Sequence, residues 1–150
     1  MVKHPLHTAL TRSLHGALAG VAATAAMSAV MALAKTGGLM ERQPPPIIVE
    51  SFFPGWEEPT QNAVAVLSHV GYGAGAGAVY GLVCVPQNRN ALTGAVYGAL
   101  VWAGGYEGWL PLLNILPPAH HDARGRALTM VAAHLMYGSV LGTLAKPTKL

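Results

Sequence analysis

Three ionisable side chains, His69, Glu107 and His134, fall inside long apolar stretches of a 150-residue chain in which only 10% of residues are charged. An ionisable group in such surroundings costs a few kcal/mol unless it is paired or hydrated, so these positions are where function is sought first. Two imidazoles and a carboxylate suit several chemistries. Imidazoles of near-neutral pKa relay protons, His nitrogen with Glu or Met holds a metal, and two opposed histidines ligate a haem b. Tyr72, Tyr106 and Tyr137 fall near the same level and offer hydroxyls, while Met27 and Met31, one turn apart, offer thioethers. The structural alternative is that each imidazole bonds a carbonyl or a tyrosine across a tight helix pair. These residue types leave the identity of any metal or cofactor open.

The two histidines share a setting. His69-Val-Gly-Tyr72-Gly73-Ala-Gly-Ala-Gly77 and His134-Leu-Met-Tyr137-Gly138-Ser-Val-Leu-Gly142 both read H-x-x-Y-G-x-x-x-G. Two such segments point to two related helical hairpins about an axis along a membrane normal, with chance similarity in a glycine-rich chain as the competing account.

The elements that must position these groups are apolar spans. The chain is 52% hydrophobic with a mean hydropathy of +0.39, whereas a soluble domain carries about 25% charged residues. Stretches at about 14–34, 63–85, 91–110 and 127–144 each approach the ~17–25 residues that cross a bilayer. The fold expected is therefore all-α: an integral membrane four-helix bundle, up-down-up-down, forming one transmembrane domain over residues 1–150. Breakers separate the spans at Pro44-Pro45-Pro46, Pro54-Gly55, Pro86, Asn88, Asn90, Pro111, Pro117-Pro118 and Pro147. The first span follows Lys3 and Arg12 and ends near Ala32-Leu33-Ala34, which resembles a signal-peptide cleavage site. It exceeds the ~7–15 residues of a signal h-region and reads as an uncleaved helix.

The connector from about Thr36 to Asn62 mixes Phe52, Phe53 and Trp56 with Glu50, Glu57 and Glu58, as a segment on a bilayer surface would. The connector from about Pro111 to Arg126 lies on the same side, and the Asn88 turn lies opposite. Lys3, Arg12, Arg89, Lys146 and Lys149 face Lys35, Arg42, Arg124 and Arg126. That bias favours both termini in the cytoplasm. At ~1.5 Å per residue His69 and His134 then sit roughly 10 Å inside their helices, in the outer half, with Glu107 at a similar level. Helices two and four are diagonal neighbours in such a bundle, so the histidines would face each other across its axis with Glu107 between them.

Small residues spaced by four recur: Gly16 and Gly20; Gly73, Gly77 and Gly81; Gly94 and Gly98; Gly104 and Gly108; Gly138 and Gly142. In lipid little hydrophobic force drives helices together, so close backbone approach along small-xxx-small ridges supplies dispersion contact instead. The ridges serve packing within one bundle, and some of them a homo-oligomer or a larger membrane complex.

Other classes lack support. The nine Lys and Arg, giving a net charge of +3, are scattered over segment ends and do not form a surface for nucleic acid. Cys84 has no partner for an internal disulfide and reads as a small apolar residue. His120-His121-Asp122 lacks a spaced fourth ligand and reads as polar surface. No soluble-enzyme signature is present, and Gly73 to Gly81 is no phosphate loop because it lies inside a span.

The opening Gly16-Ala-Leu-Ala-Gly20 with Ala23-Thr24 and Met27, the Pro117-Pro118 pair and His134-Leu-Met-Tyr-Gly together resemble the YagU-like small uncharacterised inner-membrane proteins of bacteria. The resemblance implies a bacterial cytoplasmic-membrane location and no established catalytic residue. The function expected is handling of protons or a small solute by the His/Glu cluster. The alternatives are a metal- or haem-binding electron-transfer protein and an accessory subunit of a larger membrane complex.

Overall fold

The computed structural model describes residues 5–145, and in them the chain is all-helical. Lys3, Lys146, Pro147 and Lys149 lie outside the described residues. Helix α1 runs Pro5–Thr36, longer than the span read from hydropathy because polar turns precede the apolar stretch. It closes where Gly38 takes the left-handed conformation (φ 74°). There the Leu39 N–H donates to the Ala34 carbonyl (2.9 Å) and the Gly38 N–H to the Lys35 carbonyl (3.1 Å), a Schellman ending.

Helix α2, Pro44–Phe52, was not expected. Its three leading prolines read as breakers, but a first helical turn has no use for their missing N–H groups, and their fixed φ suits it. Helix α3, Glu58–Val83, likewise starts with a proline in its first turn, so the surface connector is shorter than its apolar pattern suggests. Helix α4 opens at Ala91–Trp102, passes through a π-helical stretch Ala103–Trp109 and ends in the turn Leu110–Leu112. Asn90 caps it: its side chain accepts from the N–H groups of Leu92 (2.9 Å) and Thr93 (3.1 Å), while the Thr93 hydroxyl accepts from the Asn90 N–H (3.1 Å). Helix α5 runs Arg124–Leu144.

Glycine against glycine sets the helix pairs. A Cβ built on Gly77 would lie 2.8 Å from Gly20 Cα, and one on Gly16 would lie 3.0 Å from Gly81 Cα. Because low numbers on α1 meet high numbers on α3, the two helices are antiparallel. The pair α4 and α5 is built alike: a Cβ on Gly138 would lie 2.7 Å from the Gly94 carbonyl carbon, and one on Gly142 would lie 2.9 Å from Gly94 Cα. Thus the two glycines of each H-x-x-Y-G-x-x-x-G segment press on the first helix of their own hairpin. Gly104 and Gly108 do not take part. They lie in the π-helical stretch, whose wider turns break the four-residue ridge, and neither meets another helix.

The hairpins join through α1 and α5, where Ala23, Met27, Met31, Ala133, Tyr137 and Leu141 are buried. Between α3 and α4 there is no glycine seam. Tyr80 and Tyr97 stand there with ring centroids 5.1 Å apart, and the Tyr97 hydroxyl donates to the Ala76 carbonyl (2.7 Å).

At one end the buried Arg89 closes two helices at once. Its guanidinium donates to the carbonyls of Gly81 in the last turn of α3 (2.6 Å), of Cys84 just after it (3.0 and 3.1 Å) and of Ala145 after α5 (2.9 Å). The last carbonyls of a helix lack intrahelical donors and carry partial negative charge, so a planar cation fits there.

The outward faces are apolar. Leu18, Leu67, Leu92, Leu100 and Leu128 are all at least 65% exposed, while the helix seams hold glycine, alanine and hydroxyls. Two helical segments, Leu6–Thr36 and Arg124–Leu144, are long and apolar enough to cross a membrane. Glycines, Ser68 and His69 dilute α3, and the π-helical stretch divides α4.

The seams make Gly138 intolerant. Gly138→Ala should lower stability by about 1–3 kcal/mol through overpacking against the Gly94 backbone. Gly75→Ala, whose Cβ would enter open space, should leave stability unchanged or slightly raised. Thermal unfolding of both variants in one detergent checks this, and equal losses would contradict the glycine seam.

Candidate functional site

Where α3 and α4 are held apart, a cavity of about 200 Å³ remains. It is walled by Thr24 and Met27 of α1, by Ser68, His69, Tyr72, Gly73 and Ala76 of α3, by Val101, Gly105, Tyr106, Trp109 and Leu110 of α4, and by Met130, His134 and Tyr137 of α5. Pro44, Pro45 and Ile48 of α2 lie over it.

His69, Tyr72, His134 and Tyr137, four of the candidate residues, all line this cavity. With α3 beginning at Glu58 and α5 at Arg124, the imidazoles lie about 15 Å along their helices rather than 10 Å, because both helices start earlier than hydropathy suggested. Tyr137 is buried, and its hydroxyl crosses from α5 to donate to the Gly73 carbonyl (2.7 Å). Its counterpart Tyr72 is half exposed. On His134, Nδ1 stands 2.8 Å from the Met130 carbonyl. A carbonyl only accepts, so Nδ1 carries the proton, and Nε2 of the neutral ring is an acceptor. His69 differs: its Nε2 is sealed from solvent and has no hydrogen-bond partner among the described residues. A buried polar atom left in this state is uncommon and calls for a partner.

Glu107 does not join them. It is exposed on α4, and its Oε1 accepts from the Ala119 N–H (2.9 Å). Tyr106 is the residue of that turn that points inward, and its immediate neighbour faces away. Met27 lines the cavity, whereas Met31 is packed in the α1–α5 core. No group of three His, Cys, Asp or Glu side chains converges among the described residues. About 200 Å³ is also below the ~300–1,000 Å³ of drug-sized sites, so a porphyrin does not fit.

Sequence reasoning missed the polar lock beside the cavity. The Tyr106 hydroxyl donates to Asp122. The Arg126 guanidinium grips the same carboxylate through Nε (2.8 and 2.9 Å) and Nη2, and the Ala123 N–H adds a bond of 2.7 Å. The Asp122 side chain is only 1% exposed, while His120 and His121 stay on the surface. The spacing of Asp122 and Arg126 by four residues, at the start of an apolar helix, was the available signal. Burial alone raises the Asp122 pKa, but the bonds from Arg126, Tyr106 and the Ala123 N–H and the Arg126 charge outweigh it and hold the carboxyl below its ordinary value.

A family profile described as Family of unknown function (DUF6789) matches residues 10–149. The chain belongs to this family. The matched region runs from α1 through α5 and contains every residue of the cavity and of the lock. The family's description fits an uncharacterised protein and carries no activity, and it does not bear on the YagU-like resemblance. No curated protein and no solved structure matches the chain.

Because the folded Asp122 titrates below its unfolded counterpart, its stabilisation is complete above the ordinary carboxylate pKa near 4 and is lost as pH falls through the folded value. Wild-type stability should therefore drop in acid below about pH 4. Asp122→Asn should cost about 3 kcal/mol at pH 7, by leaving Arg126 without its buried partner, and should flatten that acid limb. Thermal unfolding across pH reads both effects.

Proposed function

We propose that this chain crosses a bacterial inner membrane four times, with both termini in the cytoplasm, and holds in the outer half of its bundle a cavity that binds a small solute through His69 and His134. The observation that carries this reading is that corresponding histidines of the two hairpins line one cavity. The outward leucines support lipid as the solvent of the helices. With lipid outside, an interior of small residues is the expected way to pack helices. The four basic residues Lys35, Arg42, Arg124 and Arg126 stand at the end of α2 and the two long connectors, away from Arg12 and Arg89.

Binding is favoured over a proton path through the whole bundle. The hydroxyls of Tyr97 and Tyr137 are spent on backbone carbonyls. Beyond the cavity the interior holds buried Tyr80 and Arg89, whose guanidinium is bound to helix-end carbonyls. A cationic guanidinium at that place repels a passing proton.

Thiol labelling in intact cells tests the reading in a Cys84→Ser background. Glu57→Cys should react with a membrane-impermeant maleimide from outside, and Gln87→Cys should react only after lysis. His134→Cys should resist the maleimide but react with small, neutral methyl methanethiosulfonate. Labelling of Gln87→Cys in intact cells would overturn the orientation, and an inert His134→Cys would overturn the accessible cavity.

A further inference from the structure

The walls of the cavity restrict what it can hold. None of the described side chains that line it carries a fixed charge, so an ionic ligand would lose its hydration without gaining a counter-ion. Its free volume of about 200 Å³ compares with the ~150 Å³ apolar cavity that accepts benzene. The occupant is therefore a neutral molecule of about one ring. Met27 and Met130 bring thioethers to the wall and Tyr106 and Trp109 bring aromatic faces, and sulfur and aromatic edges both favour a flat ring.

The hydrogen-bonding requirement is set by His134. Its Nδ1–H is committed to the Met130 carbonyl, so the neutral ring offers the cavity a lone pair at Nε2. A ligand presenting only acceptors would face that lone pair with one of its own. The ligand needs an O–H or N–H to give. Nε2 of His69 is sealed off from solvent and so from a molecule in the cavity, and the hydrogen bond to the ligand falls to His134.

Building on the small-solute reading above, we infer that the cavity takes a neutral hydroxylated aromatic ring, whose hydroxyl donates to Nε2 of His134 while the ring lies among Met27, Met130, Tyr106 and Trp109. The passage to it is lateral. α3 and α4 are joined by tyrosines instead of a glycine seam, and the half-exposed Tyr72 stands at the cavity's edge on α3. A hydroxylated ring dissolved in the bilayer thus meets the site without crossing water.

The test uses the full chain in lipid nanodiscs and two probes of nearly equal size, 4-bromophenol and its methyl ether 4-bromoanisole. Bromine quenches nearby tryptophan fluorescence, and Trp109 is in the wall. The phenol should quench saturably and bind at least about ten-fold more tightly than the ether, the equivalent of about 1.4 kcal/mol for the lost hydrogen bond. Val101→Phe, which fills the cavity, should leave only the linear quenching caused by partition into lipid. Equal affinity for the two probes would overturn the hydroxyl assignment. Linear quenching alone in the wild type would overturn the aromatic ligand. The wild-type comparison stands even if Val101→Phe fails to fold. A His134→Cys that reacts with the small thiol reagent, in a protein that shows no preference for phenol, would discard this ligand class and leave the cavity reading intact.

Discussion

The arrangement depends on backbone meeting backbone along the glycine seams. A Cβ on Gly77 or Gly138 would sit within 3 Å of the facing chain, so α1 and α3, and likewise α4 and α5, approach as closely as two helices can. Nothing bulky fits in these seams, and the large side chains must go elsewhere. Met27, Met31, Met130 and Leu141 fill the contact between α1 and α5. Tyr80 and Tyr97 occupy the side between α3 and α4, where they brace the helices apart. The cavity is the space that this bracing leaves toward the connector end. Tight seams and an open site are thus two results of one distribution of residue sizes.

At each end of the bundle a buried charged side chain is held by several partners. Arg89 gathers the free carbonyls at the ends of α3 and α5, fixing the two hairpins to one another where their C-termini converge. At the other end Asp122 is shared by Arg126 at the start of α5 and Tyr106 in the π-helical stretch of α4. The second contact also explains why the irregular turn is placed there. A widened turn turns Tyr106 inward to reach the carboxylate and presents Trp109 to the cavity. Such stretches are often found next to functional sites. Between the charged ends the cavity wall is neutral, which gives the two imidazoles their importance.

Much of this could be read from residue spacing. The four-residue glycine period gives the seams of both hairpins, and the H-x-x-Y-G-x-x-x-G pair singles out the two histidines that line one cavity. What could not be read depends on local geometry that hydropathy does not record. Pro44-Pro45-Pro46 looks like a break but starts a helix, because prolines are harmless in a first turn. Gly104, Gly108 and Glu107 fit a regular α-helical register, but the π-helical stretch changes that register and turns them out. Asp122 and Arg89 resemble ordinary loop charges, and only the tertiary fold shows that they are buried.

The central claim is that the two hairpins bring His69 and His134 to a single cavity. Bridging by a short, neutral, bifunctional methanethiosulfonate measures it directly, in membranes, on the His69→Cys/His134→Cys variant without Cys84. Mass spectrometry should find one reagent molecule joining both cysteines within a chain, and no bridge when His69→Cys is paired with a cysteine on the outward face at Leu128. Two reagent molecules attached singly, one at each cysteine with no bridge, would contradict a shared site.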